Sequence, residues 1–408
     1  MRKRISSLIV IFIFTTIAWV VLGGITTFRT YKQNTTLKSS VGQLWGTSQS
    51  QTAPTVYYQV MTSSKVKTTS GGETTVETKT DVATYYLNLE SNDIDVKFEL
   101  DYRKKGLLWY STYKVDFSGA YSIRNTTSMA RMIFFDYVFP KADGIYDNFA
   151  FIVNGKRVDD IKPENGVIKE GFFLSPGETR KISISYRSQG MDEWWYVFGY
   201  NVSQVKNFNL DMATDFKDID FPENSISPTE KKRKGKGWEL NWKYSNLISG
   251  IQIGMTMPHK LNPGPFASRV SFFAPVSLFL FFFLMFIITT IKKIKIHPMS
   301  YFFIAASFFS FHLLMSYLVD HINVHLAFII CSLVSIFLVI SYMRLVVGIR
   351  FSLIEVGISQ FVYLVLFSYA FFLEGFTGLT ITIMTILTLF AVMQFTGKVD
   401  WEKQFANK

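Results

Sequence analysis

Residues 271–291 read SFFAPVSLFLFFFLMFIITTI, an apolar run without a single Asp, Glu, Lys or Arg. At about 1.5 Å of rise per residue, a helix of this length crosses a hydrocarbon core of about 30 Å. Four more apolar runs follow it, at about 300–319, 326–343, 352–372 and 376–395. The C-terminal part of the chain therefore predicts a bundle of five transmembrane helices.

Another apolar run lies at the opposite end of the sequence, from Ile5 to Ile25, directly after Met1-Arg2-Lys3-Arg4. It is longer than the apolar core of a secretory signal peptide, and Val20 to Gly24 is a poor cleavage site. We therefore expect an uncleaved N-terminal anchor, which brings the predicted spans to six.

The cations beside the spans predict an orientation. If the six spans alternate, all of these cations fall on one side, and the short loops on the other side, 320–325 and 374–375, hold no Lys or Arg. The cations are Arg2, Lys3, Arg4, Lys292, Lys293, Lys295, Arg344, Arg350, Lys398, Lys403 and Lys408. This is the positive-inside pattern, so we expect both termini in the cytoplasm and residues 26–270 outside it.

The composition supports a membrane protein. The chain has 408 residues, of which 49% are apolar, 17% aromatic and 18% charged, whereas soluble domains carry about 25% charged residues. This excludes a disordered or collagen-like chain and argues against a single soluble enzyme domain. The net charge of +11 reflects the cations beside the spans, so we expect no nucleic-acid partner. The single cysteine, Cys331, excludes an intrachain disulfide.

The exported segment has the pattern of short β-strands. Turn pairs such as Gly71-Gly72, Asn154-Gly155 and Pro176-Gly177 separate β-rich runs, and Tyr113, Val115 and Phe117 alternate strictly with other residues. The predicted fold class is thus an α+β membrane protein: six transmembrane helices with a large, mostly antiparallel, sandwich-like β domain between the first and the second. The predicted divisions are an anchor at 1–25, a helical stalk or linker at 26–53, the β domain at 54–270, a five-helix bundle at 271–397 and a cytoplasmic tail at 398–408.

The predicted stalk has one apolar face, because Leu37, Val41, Leu44 and Trp45 recur at helical spacing. One interpretation is a stalk that transmits movement from the first span. The alternative is a helix that packs on the β-sheet.

Three groups of residues are candidates for an interface. The run Lys231-Lys232-Arg233-Lys234 either meets anionic headgroups or an acidic partner, or is a solvated turn. Trp194-Trp195 either docks at the bilayer interface or belongs to the core of a sheet. Trp45 is the third candidate, at the approach to the first strand.

Motifs for catalysis do not occur in the exported segment. It holds one histidine, His259, and no cysteine, so a Cys/His zinc site is excluded and a Ser-His-Asp triad is disfavoured. It also lacks a Walker A motif and a Gly-x-Gly-x-x-Gly motif after a strand. We expect no catalytic residue, no bound metal and no cofactor, and therefore a protein that is not an enzyme.

Five ionisable residues of the bundle are candidate functional residues: His312, Asp320, His321, His325 and Glu374. Ionisable groups at membrane depth are costly and are usually retained for function. His312 lies within the third span and should be hydrogen-bonded while facing other helices. His321 and His325 lie at i and i+4 beside Asp320, a spacing that fits a metal site, a proton relay or simply helix ends in water. We see no inverted repeat and no clearly broken span, so the signal for a transporter is weak.

Several short motifs occur in a recognisable order. His297-Pro298 with Tyr301 opens the third span, and Asp320-His321 follows it. The remaining matches are Trp45-Gly46 with Gln49 and Pro54, Arg103 to Tyr121, Glu374, Met393, Thr396 and Asp400-Trp401.

With the matching topology, these motifs resemble the CreD family of bacterial inner-membrane proteins over most of the chain. Gly375 and Asp320 replace the Asp and Glu of the family pattern, and Trp109 to Tyr113 lacks its proline. The resemblance implies a bacterial inner-membrane protein with a periplasmic domain. It further implies a role in cell-envelope integrity, linked in some bacteria to a two-component regulator and to β-lactam and colicin responses, without an established catalytic activity.

Three hypotheses follow. The first is a non-enzymatic envelope protein whose β domain binds or senses an envelope component, protein or lipid, while its helices anchor or relay. The second is a transporter or lipid-handling protein that uses the bundle. The third, and least favoured, is a membrane metalloenzyme that uses His321 and His325.

Overall fold

A computed structural model describes residues 2–70, 73–106, 108–199 and 204–397. The chain forms two units. A helical unit contains the chain up to Leu37, the short segment at Gly106 and Leu108, and the chain from Leu261 onward, while a β unit contains Lys38–Lys105 and Trp109–Lys260. The predicted tail, 398–408, lies outside the described residues.

Six helices in the described ranges are long and apolar enough to cross a membrane, as the sequence predicts. They are α1 (Arg2–Leu44), α2 (Pro263–Ile291), α3 (Pro298–Leu318), α4 (Val324–Val347), α5 (Ile349–Phe372) and α6 (Thr377–Thr396).

Two of these helices are longer than the apolar runs that predict them. α2 begins at Pro263 rather than near residue 271, because proline at the first helical position needs no hydrogen-bonded N–H. α1 continues past Ile25 to Leu44, and Gly46 follows with a φ of 131°. A φ in this range is incompatible with a continuing helix.

The fifth span is irregular, which its composition does not indicate. α5 follows Gly348, whose φ is 86°, and contains two π-helical stretches, Ser352–Val356 and Phe361–Leu366. π-helical stretches are rare in proteins, and those that occur often lie at functional sites. α5 nevertheless runs as one continuous helix from Ile349 to Phe372, so the span is irregular but not broken.

The β unit contains fifteen strands within its described residues. They are β1 (Gln49–Thr52), β2 (Thr55–Ser70), β3 (Glu73–Leu87), β4 (Ser91–Lys105), β5 (Leu108–Arg124), β6 (Arg131–Val138), β7 (Asp147–Val153), β8 (Lys156–Arg157), β9 (Val167–Leu174), β10 (Thr179–Met191), β11 (Glu193–Val197), β12 (Val205–Thr214), β13 (Glu230–Lys234), β14 (Gly237–Leu247) and β15 (Ile253–Thr256).

These strands form three sheets. The largest has the order β13-β14-β12-β4-β5-β10-β7-β8, the second β3-β2-β6-β9, and the smallest β1-β11-β15. Pairing is antiparallel except between β4 and β12 and between β1 and β11. The prediction of a mostly antiparallel β domain is confirmed.

The core of the β unit follows from the period-two alternation of its strands. On β4, Ile94, Val96 and Phe98 are buried while their neighbours are exposed, and on β5 Val115 and Phe117 are buried in the same way. Each such side chain contributes about 1.5–3 kcal/mol when it is fully removed from water.

Two local predictions have different outcomes. β2 and β3 pair antiparallel up to Ser70 and Glu73, while the predicted turn at Gly71-Gly72 lies outside the described residues. The predicted stalk at 26–53 is helical only to Leu44, because Gln49–Thr52 pairs with Trp194–Val197 as strand β1. Its predicted apolar face is also incomplete, since Val41 is buried but Leu44 is 74% exposed.

Candidate functional site

Arg29 of α1 contacts three groups of the helical unit. Its guanidinium lies 3.0 Å from a carboxylate oxygen of Asp320, which follows α3. It also donates a hydrogen bond of 2.5 Å to the Ser316 carbonyl oxygen and lies 5.1 Å from the ring centroid of Tyr317. Burial raises the pKa of the Asp320 carboxyl, and the charge of Arg29 opposes this shift. Arg29 thus ties the first helix to the end of the third.

The sequence identifies Asp320 but not its partner. Arg29 is the first charged residue after the apolar run of α1, and this isolated position is the only signal that it carries. The pairing joins residues far apart in the chain, so no local spacing indicates it.

His312 lies in the interior of the helical unit, with 1% of its surface exposed. Its Nδ1 is 2.9 Å from the carbonyl oxygen of Phe308. Because a carbonyl only accepts, Nδ1 carries the proton and Nε2 of the neutral ring is an acceptor. The predicted hydrogen bond of His312 is present, but its partner is the backbone of its own helix rather than a neighbouring helix.

A buried tryptophan packs against this histidine. Trp19 of α1 is fully buried, and its ring centroid lies 5.4 Å from that of His312 at an interplanar angle of 77°. Within the described residues, neither Trp19 Nε1 nor His312 Nε2 has a hydrogen-bond partner. Unpaired polar atoms in an apolar interior lower the stability of the folded state. The Trp19–His312 pair is therefore a second candidate functional site of the helical unit, beside the Arg29–Asp320 pair.

Of the other three predicted residues of the bundle, His321 interacts with the Arg29–Asp320 pair, because its charge also opposes the rise in the pKa of the Asp320 carboxyl. His321 and Glu374 are exposed. His325 is also exposed, and its ring stacks on Phe372 with centroids 4.7 Å apart. Among the described side chains, no group of three or more His, Cys, Asp or Glu residues is placed to hold a metal ion.

Polar side chains also connect helices at a place that the sequence analysis missed. Gln360 of α5 is fully buried and donates a 2.9 Å hydrogen bond to the Ser335 hydroxyl of α4. Ser335 in turn donates to the Ser307 carbonyl oxygen of α3, at 2.5 Å. Such bonds stabilise helix packing in membranes, and this chain joins the irregular α5 to its neighbours.

Trp194 and Trp195 occupy opposite faces of β11. Trp194 is fully buried and packs edge-to-face on Phe98, with centroids 5.6 Å apart. It is therefore not an interface residue, and the alternative of a core position is correct for it. Trp195 is partly exposed and donates a 3.0 Å hydrogen bond to Glu193.

Trp45 lies just after the end of α1, on the rim of a groove. The guanidinium carbon of Arg103 lies 3.3 Å from its ring centroid. The groove has a volume of about 510 Å³ and is lined by Val41, Leu44, Trp45, Asp101, Tyr102, Arg103, Lys104 and Lys105. Trp45 is thus already partnered within its own unit.

The motif that contains Trp45 connects β1 to the end of β10. A Cβ on Gly46 would lie 2.4 Å from the Gln189 carbonyl oxygen, so only glycine fits there. Three residues on, the Gln49 amide donates to the Ser188 hydroxyl at 2.8 Å and to the Gln189 carbonyl at 2.9 Å. The spacing of Trp45-Gly46 and Gln49 therefore has a structural reason.

The basic run forms strand β13 rather than a turn. β13 is an edge strand of the eight-stranded sheet, and all five of its residues are exposed. Lys232 and Lys234 form ion pairs with Glu230 and Glu239. Lys231 and Arg233 instead lie against the ring of Trp238.

Comparisons with solved structures show only weak likeness. A putative nutrient binding protein from Legionella pneumophila has 12% identity and a TM-score of 0.31, over 48% of this chain and 71% of that chain. An M1 zinc metallopeptidase from Deinococcus radiodurans has 11% identity and a TM-score of 0.26, over 41% of this chain and 42% of that chain. No curated protein matches the sequence.

A family comparison covers nearly the whole chain. The family described as inner membrane protein CreD matches residues 1–402. This range includes the six helices α1 to α6 and all fifteen strands of the β unit. The chain belongs to the CreD family of inner membrane proteins.

Proposed function

We propose that this chain is a non-enzymatic inner-membrane protein that supports cell-envelope integrity or the response to envelope stress. Its β domain binds or senses an envelope component, and its helices anchor that domain and relay its state. The family membership supports this proposal.

One observation carries the relay part of the proposal: α1 is a single helix that contributes to both units. Within the helical unit, Arg29 pairs with Asp320 at 3.0 Å. Within the β unit, Lys38 pairs with Asp192 at 2.6 Å. A change in the β unit that makes or breaks the ion pair between Lys38 and Asp192 therefore acts on α1, the helix that Arg29 connects to Asp320.

A second candidate, a transporter or lipid-handling role for the bundle, is favoured by the buried pair of Trp19 and His312. Their ring nitrogens have no hydrogen-bond partner in the described part of the chain. A polar site of this kind at membrane depth is typical of a functional position.

The role is tested by complementation of a deletion strain under detergent, osmotic and β-lactam stress. We expect the full chain to restore growth, and Arg29→Ala to restore it poorly at equal membrane abundance, because Asp320 then loses its partner. Lys32→Ala is the matched control, since Lys32 is an exposed cation on the same helix. An unchanged envelope in the deletion strain would argue against the proposal, and selective failure of His312→Phe would favour the bundle role instead.

Topology is tested by cysteine labelling in a Cys331→Ala background. We expect a membrane-impermeant maleimide to label Lys156→Cys of the β domain in spheroplasts, and Lys295→Cys only after permeabilisation, because the basic loop after α2 faces the cytoplasm. Both lysines are exposed, so accessibility within the protein does not limit either reaction. Labelling of Lys295→Cys in intact spheroplasts would contradict the proposed orientation.

A further inference from the structure

Strand β13 leaves one edge of the eight-stranded sheet unpaired. Its inner edge pairs with β14 from Glu230↔Asn241 to Lys234↔Gly237. In the described ranges no strand pairs with its outer edge. An unpaired edge presents N–H and C=O groups that a further strand can bind.

The cations of β13 divide between the two faces of the sheet. Lys232 and Lys234 share one face with Glu230, and their charges are compensated by Glu230 and Glu239. Lys231 and Arg233 lie on the other face, because they pair directly with Leu240 and Trp238 of β14. In the part of the chain that the structure describes, no carboxylate lies within 4.0 Å of either cation.

Trp238 holds these two cations in place at the edge. The Lys231 ammonium lies 4.2 Å, and the Arg233 guanidinium carbon 5.9 Å, from its ring centroid. The indole N–H donates a 2.7 Å hydrogen bond to the Lys217 carbonyl oxygen, which fixes the ring. Cation–π contact leaves the positive charge uncompensated by any anion.

We propose that β13 is a docking edge for an extended acidic segment of a protein partner, which adds to the sheet as a further strand. This inference rests on the proposed function, since it names the partner class of the β domain. Residues at i and i+2 of a strand are about 6.4–6.8 Å apart on one face. Alternating carboxylates of an added strand therefore match Lys231 and Arg233 while its backbone pairs with the free edge.

Two features distinguish this partner from other anions. A lipid headgroup or a free phosphate would use the charges but not the unpaired backbone edge. An extended acidic segment uses both, through the strand addition known from peptide-binding domains. The exposed lysines meanwhile disfavour pairing with a second copy of the same basic edge, because like charges would then face each other.

The test measures binding of a fluorescent peptide of alternating Glu and Thr to the purified full chain by anisotropy. We expect saturable binding that weakens as ionic strength rises. Lys231→Gln/Arg233→Gln should weaken it at least about fivefold, because two cross-strand charge pairs are lost. Lys232→Gln/Lys234→Gln is the matched control on the same strand, and it should weaken binding less than about twofold because those cations already have partners.

A peptide of the same sequence, N-methylated at every residue, separates strand addition from simple charge attraction. It keeps every carboxylate but cannot pair with the edge, so we expect it not to bind. Equal binding of the methylated peptide, or equal competition by inorganic phosphate or phosphatidylglycerol vesicles, would overturn the proposal. Complementation by Lys231→Gln/Arg233→Gln reports separately on the proposed function: full rescue together with lost peptide binding would reject this partner class and leave the envelope role intact.

Discussion

Trp194→Ala is expected to lower the free energy of unfolding of the β domain by about 3–5 kcal/mol. The side chain is fully buried and contacts Phe98 at a centroid distance of 5.6 Å. Its removal loses the apolar surface and leaves a cavity that the surrounding sheet cannot close, because β11 is paired on both sides, with β1 and β15. Urea unfolding of the purified chain, followed by near-ultraviolet circular dichroism, measures the change.

Trp195→Ala is the matched control for this prediction. Trp195 is the next residue on the same strand, but it faces the other side and is partly exposed. We expect a loss below about 1.5 kcal/mol, since less apolar area is removed from the packed interior. Equal losses for the two variants would show that Trp194 does not occupy the core.

Gln51→Leu is expected to cost about 2–5 kcal/mol, although it adds apolar surface to the core. The Gln51 side-chain oxygen accepts hydrogen bonds from the Tyr137 hydroxyl at 2.9 Å and the Tyr186 hydroxyl at 2.7 Å. All three side chains are buried. The substitution leaves at least one buried hydroxyl without an acceptor, because Tyr137 and Tyr186 can then bond only to each other. It also removes the amide that donates to the Val138 carbonyl oxygen, and each unsatisfied group costs about 1–3 kcal/mol.

Removal of the Tyr137 and Tyr186 hydroxyls should restore part of the stability lost in Gln51→Leu. In the triple variant Gln51→Leu/Tyr137→Phe/Tyr186→Phe no donor is left unpaired at this acceptor, so we expect higher stability than for Gln51→Leu alone. Gln59→Leu, at an exposed position on β2, should change stability by less than about 0.5 kcal/mol. A triple variant that is less stable than Gln51→Leu would contradict this explanation.

The six spans and the β domain between them are predictable because each depends on a local pattern. An uncharged run such as 271–291 is long enough for a span wherever it occurs, and the alternation of Val115 and Phe117 indicates a half-buried strand. The same alternation places Trp194 and Trp195 on opposite faces. It does not say which face is the interior, since that depends on the sheet packed against it.

The contacts that the sequence did not indicate are those between distant residues. Asp320 is recognisable as an ionisable residue near a helix end, but its partner Arg29 lies on the first helix, far from it along the chain. The end of α1 and strand β1 were missed because Gln49–Thr52 becomes a strand only by pairing with Trp194–Val197. The π-helical stretches of α5 likewise depend on neighbouring helices, and composition carries no sign of them.

The strand order also constrains how the protein is made. β1 pairs with β11, β4 with β12, and β11 with β15. Each of these earlier strands can therefore pair only after a strand much later in the chain has been synthesised. Contacts this distant along the chain form slowly. The smallest sheet is incomplete until Thr256 has been synthesised, a few residues before α2 begins. A stall in synthesis before Ile253 would therefore leave β11 without its partner β15, and the unpaired edge of β11 would be open to proteases and to other strands.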